Sequence, residues 1–249
     1  MFNAKLPNSF KFNPACDLVR IGGEYDGGYL VSKSDIKNCE LLISLGIFDD
    51  WRFEKDFIQI SNRRVEAYDG SLSLRFWITR SIIQTLKNPF NFYIFRKFFS
   101  YKSLFKGKNK LFKKYVGLNS DNVDHCTLDD ILKNKTEKNI FLKIDIENSE
   151  YRLLDQILLY ENKICGMVIE FHDCDIHLEK ITNFLNETSL TLVHVHANNY
   201  APIRLDDKLP ITLELTFSKN SDTMCFSDLP HKFDMPNDKH SPEIKLNFV

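Results

Sequence analysis

The 249-residue sequence has no run approaching the ~18 consecutive apolar residues of a membrane-spanning helix, so no such span is expected within it. The opening residues, MFNAKLPNSF, lack the charged-then-apolar pattern of a secretory signal, and a cytoplasmic location is the expectation. The six cysteines (Cys16, Cys39, Cys126, Cys165, Cys174 and Cys225) include no CxxC pair and no metal-ligand spacing. They are expected to be reduced, mostly buried thiols. No internal repeat or low-complexity linker divides the chain, so residues 1–249 are read as one domain. Net charge is nearly absent as well: 33 basic and 34 acidic residues leave -1. That balance first argues against nucleic acid as a partner.

What is present is a 43% hydrophobic chain of a length that one α/β domain can fill. Short apolar runs alternate with helical patterns, which predicts βαβ units and a mainly parallel sheet. Strands are expected at Leu41–Gly46, Arg64–Tyr68, Asn139–Asp145, Ile164–Phe171, Leu190–His196 and Ile211–Phe217. Helices are expected after Asp50, after the capping-box spacing at Thr127, and over Ser149–Tyr160 and Asp175–Glu187. The last two strands have no helix between them, which permits an antiparallel pair at the sheet edge.

Ligands of open parallel sheets bind beyond the carboxyl ends of the strands. Here those ends carry Ser44, Gly46, Asp69, Asp145, Glu170, His172, His194 and His196, while strand interiors stay apolar. Gly46 and Asp69 lie 23 residues apart, near the ~20 between a nucleotide-binding turn and the acid that bonds ribose hydroxyls. SLGIFDDW is not GxGxxG, however, so a nucleoside without phosphates fits better than a dinucleotide. A second turn, Asp26-Gly27-Gly28-Tyr29, is either a tight turn or backbone lying close to a ligand.

Together these blocks resemble the S-adenosylmethionine (SAM)-dependent methyltransferases of the FkbM-like group. The resemblance is carried by GGEYDGGY (22–29), SLGIFDDWRFE (44–54), AYD (67–69), TLDDIL (127–132), LKIDIENSE (142–150) and VIEFH (168–172). HVHANNY (194–200) is similar to a block in members that methylate sugars. Asn148 stands where the family usually has glycine. The resemblance implies a class I methyltransferase: a Rossmann-like three-layer α/β sandwich with a mostly parallel seven-stranded sheet and an antiparallel last strand. It further implies that Asp69 binds the cofactor ribose, and that Asp26, Gly27, Gly28, Ser44, Gly46 and Asp145 line the rest of the cofactor.

Methyl transfer to a hydroxyl requires a positioned acceptor and a group that removes its proton. His172 is the expected base because an ordinary imidazole titrates near neutral pH, with His196 second and Asp145, Glu170 and Lys143 as further catalytic candidates. Lys143 shares the face of Asp145 and is placed to pair with it or to meet an anionic substrate. Asp145, Glu170 and His172 form a candidate set for magnesium or manganese. Asn198, Asn199 and Tyr200 are suited to bonding sugar hydroxyls. The implied substrate is a nucleotide-activated sugar or a surface glycan of capsule biosynthesis. The alternatives are methylation of a non-sugar small molecule, or a non-catalytic nucleotide- or glycan-binding module.

The even charge balance conceals a segregation. Residues 71–115 hold eleven Lys and Arg, twelve aromatics and no acid, leaving 22 basic and 34 acidic residues elsewhere. This helical insertion, divided by Pro89, has several readings: a helical cover or homo-oligomer interface, a mouth that binds a diphosphate, or a peripheral contact with an anionic membrane at its inner face. Single-stranded nucleic acid also uses basic and aromatic residues, but the acidic remainder and the sugar-type block argue against it.

Overall fold

Computed from the sequence, the structural model describes residues 2–87, 93–119, 121–220 and 228–249. In chain order its strands are β1 (Phe2–Leu6), β2 (Leu18–Ile21), β3 (Tyr29–Ser32), β4 (Leu41–Leu45), β5 (Arg64–Tyr68), β6 (Lys110–Phe112) and β7 (Tyr115–Val116). They continue as β8 (His125–Cys126), β9 (Ile140–Ile144), β10 (Ile164–Phe171), β11 (Thr191–Ala197), β12 (Leu213–Ser218) and β13 (Ile244–Phe248). The helices are α1 (Lys33–Asn38), α2 (Arg52–Ser61), α3 (Leu74–Lys87), α4 (Tyr93–Leu104), α5 (Leu128–Leu132), α6 (Leu154–Tyr160) and α7 (Cys174–Glu187). No helix among the described residues is long and apolar enough to cross a membrane.

Seven strands form the central sheet in the order β6-β5-β4-β9-β10-β12-β11. All neighbours are parallel except around β12, which is antiparallel to both β10 and β11. From β4 the chain runs outward through β5 and β6, then returns to β9 on the other side of β4. That reversal opens a crevice at the carboxyl ends of β4 and β9. One face of the sheet packs Ile43, Leu45, Leu142, Ile144 and Ile169 against α5, α6 and α7. The other packs Leu42, Val65, Phe141 and Val168 against α1, α2 and the aromatic side of α3 and α4. This is the three-layer α/β sandwich of class I methyltransferases.

Local chemistry sets the element ends. Thr127 Oγ1 accepts the Asp130 N–H, and Asp130 Oδ2 accepts the Thr127 N–H, so a capping box opens α5 with Asp in place of Glu. Asp50 Oδ1 accepts the Arg52 N–H at the start of α2. Asn62 ends that helix in the left-handed region at φ 54°, its N–H bonding Ile58 O.

The expected antiparallel pair is β11–β12 at one edge of the sheet, with β12 inserted between β10 and β11. Other expectations are corrected. The seventh strand, β6, lies within the basic 71–115 stretch, so the helical part of that segment ends at Leu104. Pro89 falls outside the described residues. The helix expected over 149–160 is a 3₁₀ turn, Glu150–Arg152, followed by α6. Cys39, Cys126, Cys165 and Cys174 are free and buried, whereas Cys16 is disulfide-bonded. The C-terminal segment returns as β13 to pair in parallel with β1, joining the two ends of the chain.

Candidate active site

Strand register gathers the polar residues into rows. Ile169 pairs with Ile144 and Leu45 with Ile144, so Glu170, Asp145 and Gly46 follow as the next row at the carboxyl ends. Glu170 in turn pairs with Glu214, and Glu214 with His196. Two positions back from that edge, and therefore on the same face, come Ser44, Lys143, Val168 and His194, with Thr216 of the antiparallel β12 opposite Val168 and His194. Strands with apolar interiors thus present a polar band where the crevice opens.

Two connected cavities lie over that band. The larger, about 820 Å³, is lined by Gly27, Gly46, Phe48, Asp69, Lys97 and Tyr115, among others. The smaller, about 340 Å³, is lined by Glu170, His172, Asn198, Tyr200 and Thr212. Asp26, Asp145 and Glu147 border both, so they mark the junction. Carboxylates there suit a ligand that carries positive charge and disfavour a pyrophosphate.

Beneath the junction Lys143 is buried; its Nζ donates to Gly46 O at 2.6 Å and to Asp145 Oδ2 at 3.1 Å. Burial alone would lower its pKa, but Asp145 and Glu54 outweigh that and hold it above the ordinary lysine value. The Tyr29 hydroxyl sits 2.8 Å from Glu170 Oε2 and 3.1 Å from Asp145 Oδ2. Burial first, then Asp145 and Glu214, push the Glu170 carboxyl far above the usual range. The hydroxyl carries one proton and so donates to one of these two carboxyl groups at a time. Asn198 Nδ2 donates to the remaining Glu170 oxygen at 2.8 Å.

His172 follows the end of β10, with Nδ1 2.7 Å from Glu150 Oε1 and Nε2 3.7 Å from Glu170 Oε1. Burial works against its charged form, yet the short Glu150 bond, with Glu170 and Asp145 nearby, raises the pKa to about 9. Glu150 therefore orients the ring by one nitrogen and leaves the other toward the smaller cavity.

The remaining sequence candidates divide. Asp26, Gly27, Gly46, Asp69 and Asp145 line the larger cavity, and Asn198 and Tyr200 the smaller. Asp69 is already saturated: Oδ2 accepts the Ile47 and Phe48 N–H groups at 3.0 and 2.7 Å, and Oδ1 accepts the Ser71 N–H and hydroxyl. As folded, it orders the two loops of the cavity wall, and a ribose diol would have to displace one of these donors. Ser44 is fully buried and donates to Glu54 Oε1 at 2.5 Å, away from the cavity. Gly28 makes room for the neighbouring turn, since a Cβ there would lie 2.2 Å from Gly23 O. His196 is pinned between Glu214 at 2.9 Å and Glu243 at 3.0 Å and lines neither cavity. Asn199 donates to the carbonyls of Asp238 and Ser241 and so anchors the C-terminal segment. The expected metal set is also altered. Glu170 is engaged by Tyr29 and Asn198, and the ligand-type atoms within 4.8 Å of one another belong to Asp145, Glu147 and His172.

Three residues of this site were passed over in the sequence: Tyr29, Glu147 and Glu150. All three stand inside the blocks GGEYDGGY and LKIDIENSE, and their positions there were the available signal. Asn148 is explained by the backbone: it has φ 71° and Glu147 φ 51°, and Asn tolerates the left-handed region where the family uses glycine.

Fold and crevice together define a class I methyltransferase. Residues 53–196 match the family described as the methyltransferase FkbM domain, more than half of the chain, and the protein belongs to that family. Similar solved structures include a precorrin-6y C5,15-methyltransferase from Geobacter metallireducens, at 10% identity and TM-score 0.39, covering 75% of this chain and 86% of that one. A putative methyltransferase from Streptococcus mutans in complex with SAH gives 12% identity and TM-score 0.38, covering 75% and 94%. A TDP-rhamnose 3′-O-methyltransferase of calicheamicin biosynthesis gives 10% and 0.35, covering 76% and 75%. No curated sequence matches significantly.

Proposed function

We propose that this methyltransferase uses SAM to methylate a hydroxyl of a sugar, within a nucleotide-activated sugar or a surface glycan such as a capsule precursor. The observation that carries this reading is the pair of cavities meeting at Asp26, Asp145 and Glu147. The acid-rich junction fits the sulfonium and ammonium charges of SAM. When bound, the cofactor supplies an electrophilic methyl group. Gly27 and Gly46, both at positive φ, let it approach the backbone, and Phe48 and Tyr115 offer apolar and aromatic surface to its base.

The smaller cavity receives the acceptor. Its carboxylate, amide and hydroxyl groups are the partners that sugar hydroxyls need, and among the described residues neither Lys nor Arg lines it. This favours entry of an uncharged sugar end, with any diphosphate outside. The similarity of residues 194–200 to sugar-methylating members points the same way. His172 takes the hydroxyl proton at Nε2, Glu150 holds the ring, and Asn198 and Tyr200 orient the acceptor. The same carboxylates favour a second reading, an amino-bearing acceptor.

The test is calorimetry with SAM, followed by incubation of labelled SAM with neutral glycans, nucleotide sugars and amino sugars, with and without EDTA. The expected result is cofactor binding and label transfer to a sugar hydroxyl. No cofactor binding sinks the methyltransferase mechanism, and transfer only to an amine selects the second reading. Turnover that survives EDTA assigns proton removal to side chains alone. Loss in EDTA assigns part of it to a divalent ion at Asp145, Glu147 and His172.

A further inference from the structure

The helical pair α3–α4 has two unlike sides. Its inner side is aromatic: Trp77 and Tyr101 are buried, with ring centroids 6.2 and 5.9 Å from that of Trp51, and Trp51 Nε1 donates to Ser100 Oγ at 3.0 Å. The outer side is aliphatic. Ile78, Ile82 and Leu86 recur every four residues along α3 and are 52%, 55% and 81% exposed. Ile83 lies beside them, and Phe99 projects from α4 at 68% exposure. On α4 the spacing sets Arg96 one turn before Phe99 and Lys102 one turn after it.

A helix that merely covered the core would turn polar residues outward here. A concentrated apolar surface instead marks an interaction site. The surrounding charge selects the occupant. Residues 71–115 contain no acid, and exposed Arg96, Lys106, Lys110 and Lys113 form no ion pair among the described residues. A second copy docked by two-fold symmetry would set basic surface against basic surface. Single-stranded nucleic acid would need several exposed aromatic rings for stacking, but Trp77 and Tyr101 face inward, and among the described residues the exposed large apolar side chains of α3–α4 are aliphatic apart from Phe99. Apolar side chains flanked on α4 by Arg96 and Lys102, in a segment without acids, match the hydrocarbon and headgroup layers of an anionic bilayer.

We infer that the outer face of α3–α4 is a peripheral docking surface for an anionic lipid bilayer, with Ile78, Ile82, Leu86 and Phe99 entering the interface and the basic residues meeting the headgroups. The surface is tied to the site. Arg80 and Lys97 of these helices reach Asp49 on the cavity rim at 2.5 and 3.2 Å, so docking sets the cofactor cavity close to the membrane. The inference does not depend on the acceptor being a sugar.

Flotation of the full chain with vesicles tests it, using equal parts phosphatidylglycerol and phosphatidylcholine against phosphatidylcholine alone. Binding is expected only to the anionic vesicles and is lost at high salt. The variant I82S/L86S/F99S should lower vesicle partition tenfold or more, roughly, with an unchanged melting temperature. R96A/K102A should lower it by a similar factor, from roughly fivefold per charge. No binding to anionic vesicles overturns the inference, as does partition unchanged in I82S/L86S/F99S. A dimer in vesicle-free solution that these substitutions abolish overturns it in favour of a second copy.

Discussion

With a pKa of about 9, His172 presents a neutral imidazole in roughly one molecule in a hundred at pH 7. If that nitrogen takes the acceptor proton, kcat/KM should rise about tenfold per pH unit and level off near pH 9. His172→Ala should cost about 10²–10⁴-fold with SAM affinity retained in calorimetry. Glu150→Gln removes the carboxylate that most favours the cation, so the rising limb should move to lower pH. A limb that stays in place would separate His172 from the chemistry. A second residue-scale prediction concerns Asp35, which is fully buried, with neither carboxyl oxygen hydrogen-bonded. Burial raises its pKa to about 6, only partly offset by nearby Ser218 and Asn220. The unfolded chain releases this proton near pH 4, so between about pH 4 and 6 the folded state holds more protons and stability falls as pH rises, by about 3 kcal/mol in all. Asp35→Asn should therefore stabilise the protein by about 1–3 kcal/mol in urea unfolding at pH 7 and leave it nearly unchanged at pH 4. Equal effects at both pH values would show that the shift is absent.

Among the elements, the junction of β4 and β9 is the tightest part of the site. Gly46 has φ 75°, and a Cβ there would lie 1.7 Å from Asp145 O, with Lys143 Nζ bonded to Gly46 O beside it. Gly46→Ala should cost about 2 kcal/mol or more and weaken SAM binding as well, because the strand ends must part. Thermal melting and calorimetry would measure both, and a variant of unchanged stability would disprove the close packing. This glycine was legible in the sequence as a strand-ending turn, but its reason was not: the obstacle is the neighbouring strand, 99 positions along the chain. Element type also had uneven visibility. The longer apolar strands and the capping box at Thr127 announce themselves through local pattern. The strand β6, only Lys110–Phe112, exists because β5 offers it an edge, which no local pattern carries.

Over the whole molecule, charge is segregated: an acid-rich crevice lies at the strand ends and a basic helical pair at its rim. The vesicle experiment addresses that segregation directly. The C-terminal segment supplies the other long-range effect. Glu243 caps His196 from one side while Glu214 holds it from the other, and burial is overcome by those two carboxylates, which raise its pKa well above the ordinary value. A histidine at a strand end, read without knowledge of what covers it, looked like a candidate base; once covered, it pins the tail.

The sequence by itself determined the alternation of strands and helices, the polar residues at the strand ends and the isolated basic segment, because each follows from spacing between near neighbours. Only the tertiary structure decided which of those polar groups share a cavity. It turned Ser44 toward Glu54, paired Lys143 with Asp145, gave His172 its Glu150 partner and closed the tail over His196 and Asn199. Chemistry at a strand end depends on desolvation and on charges brought from distant positions, and these are properties of packing in three dimensions.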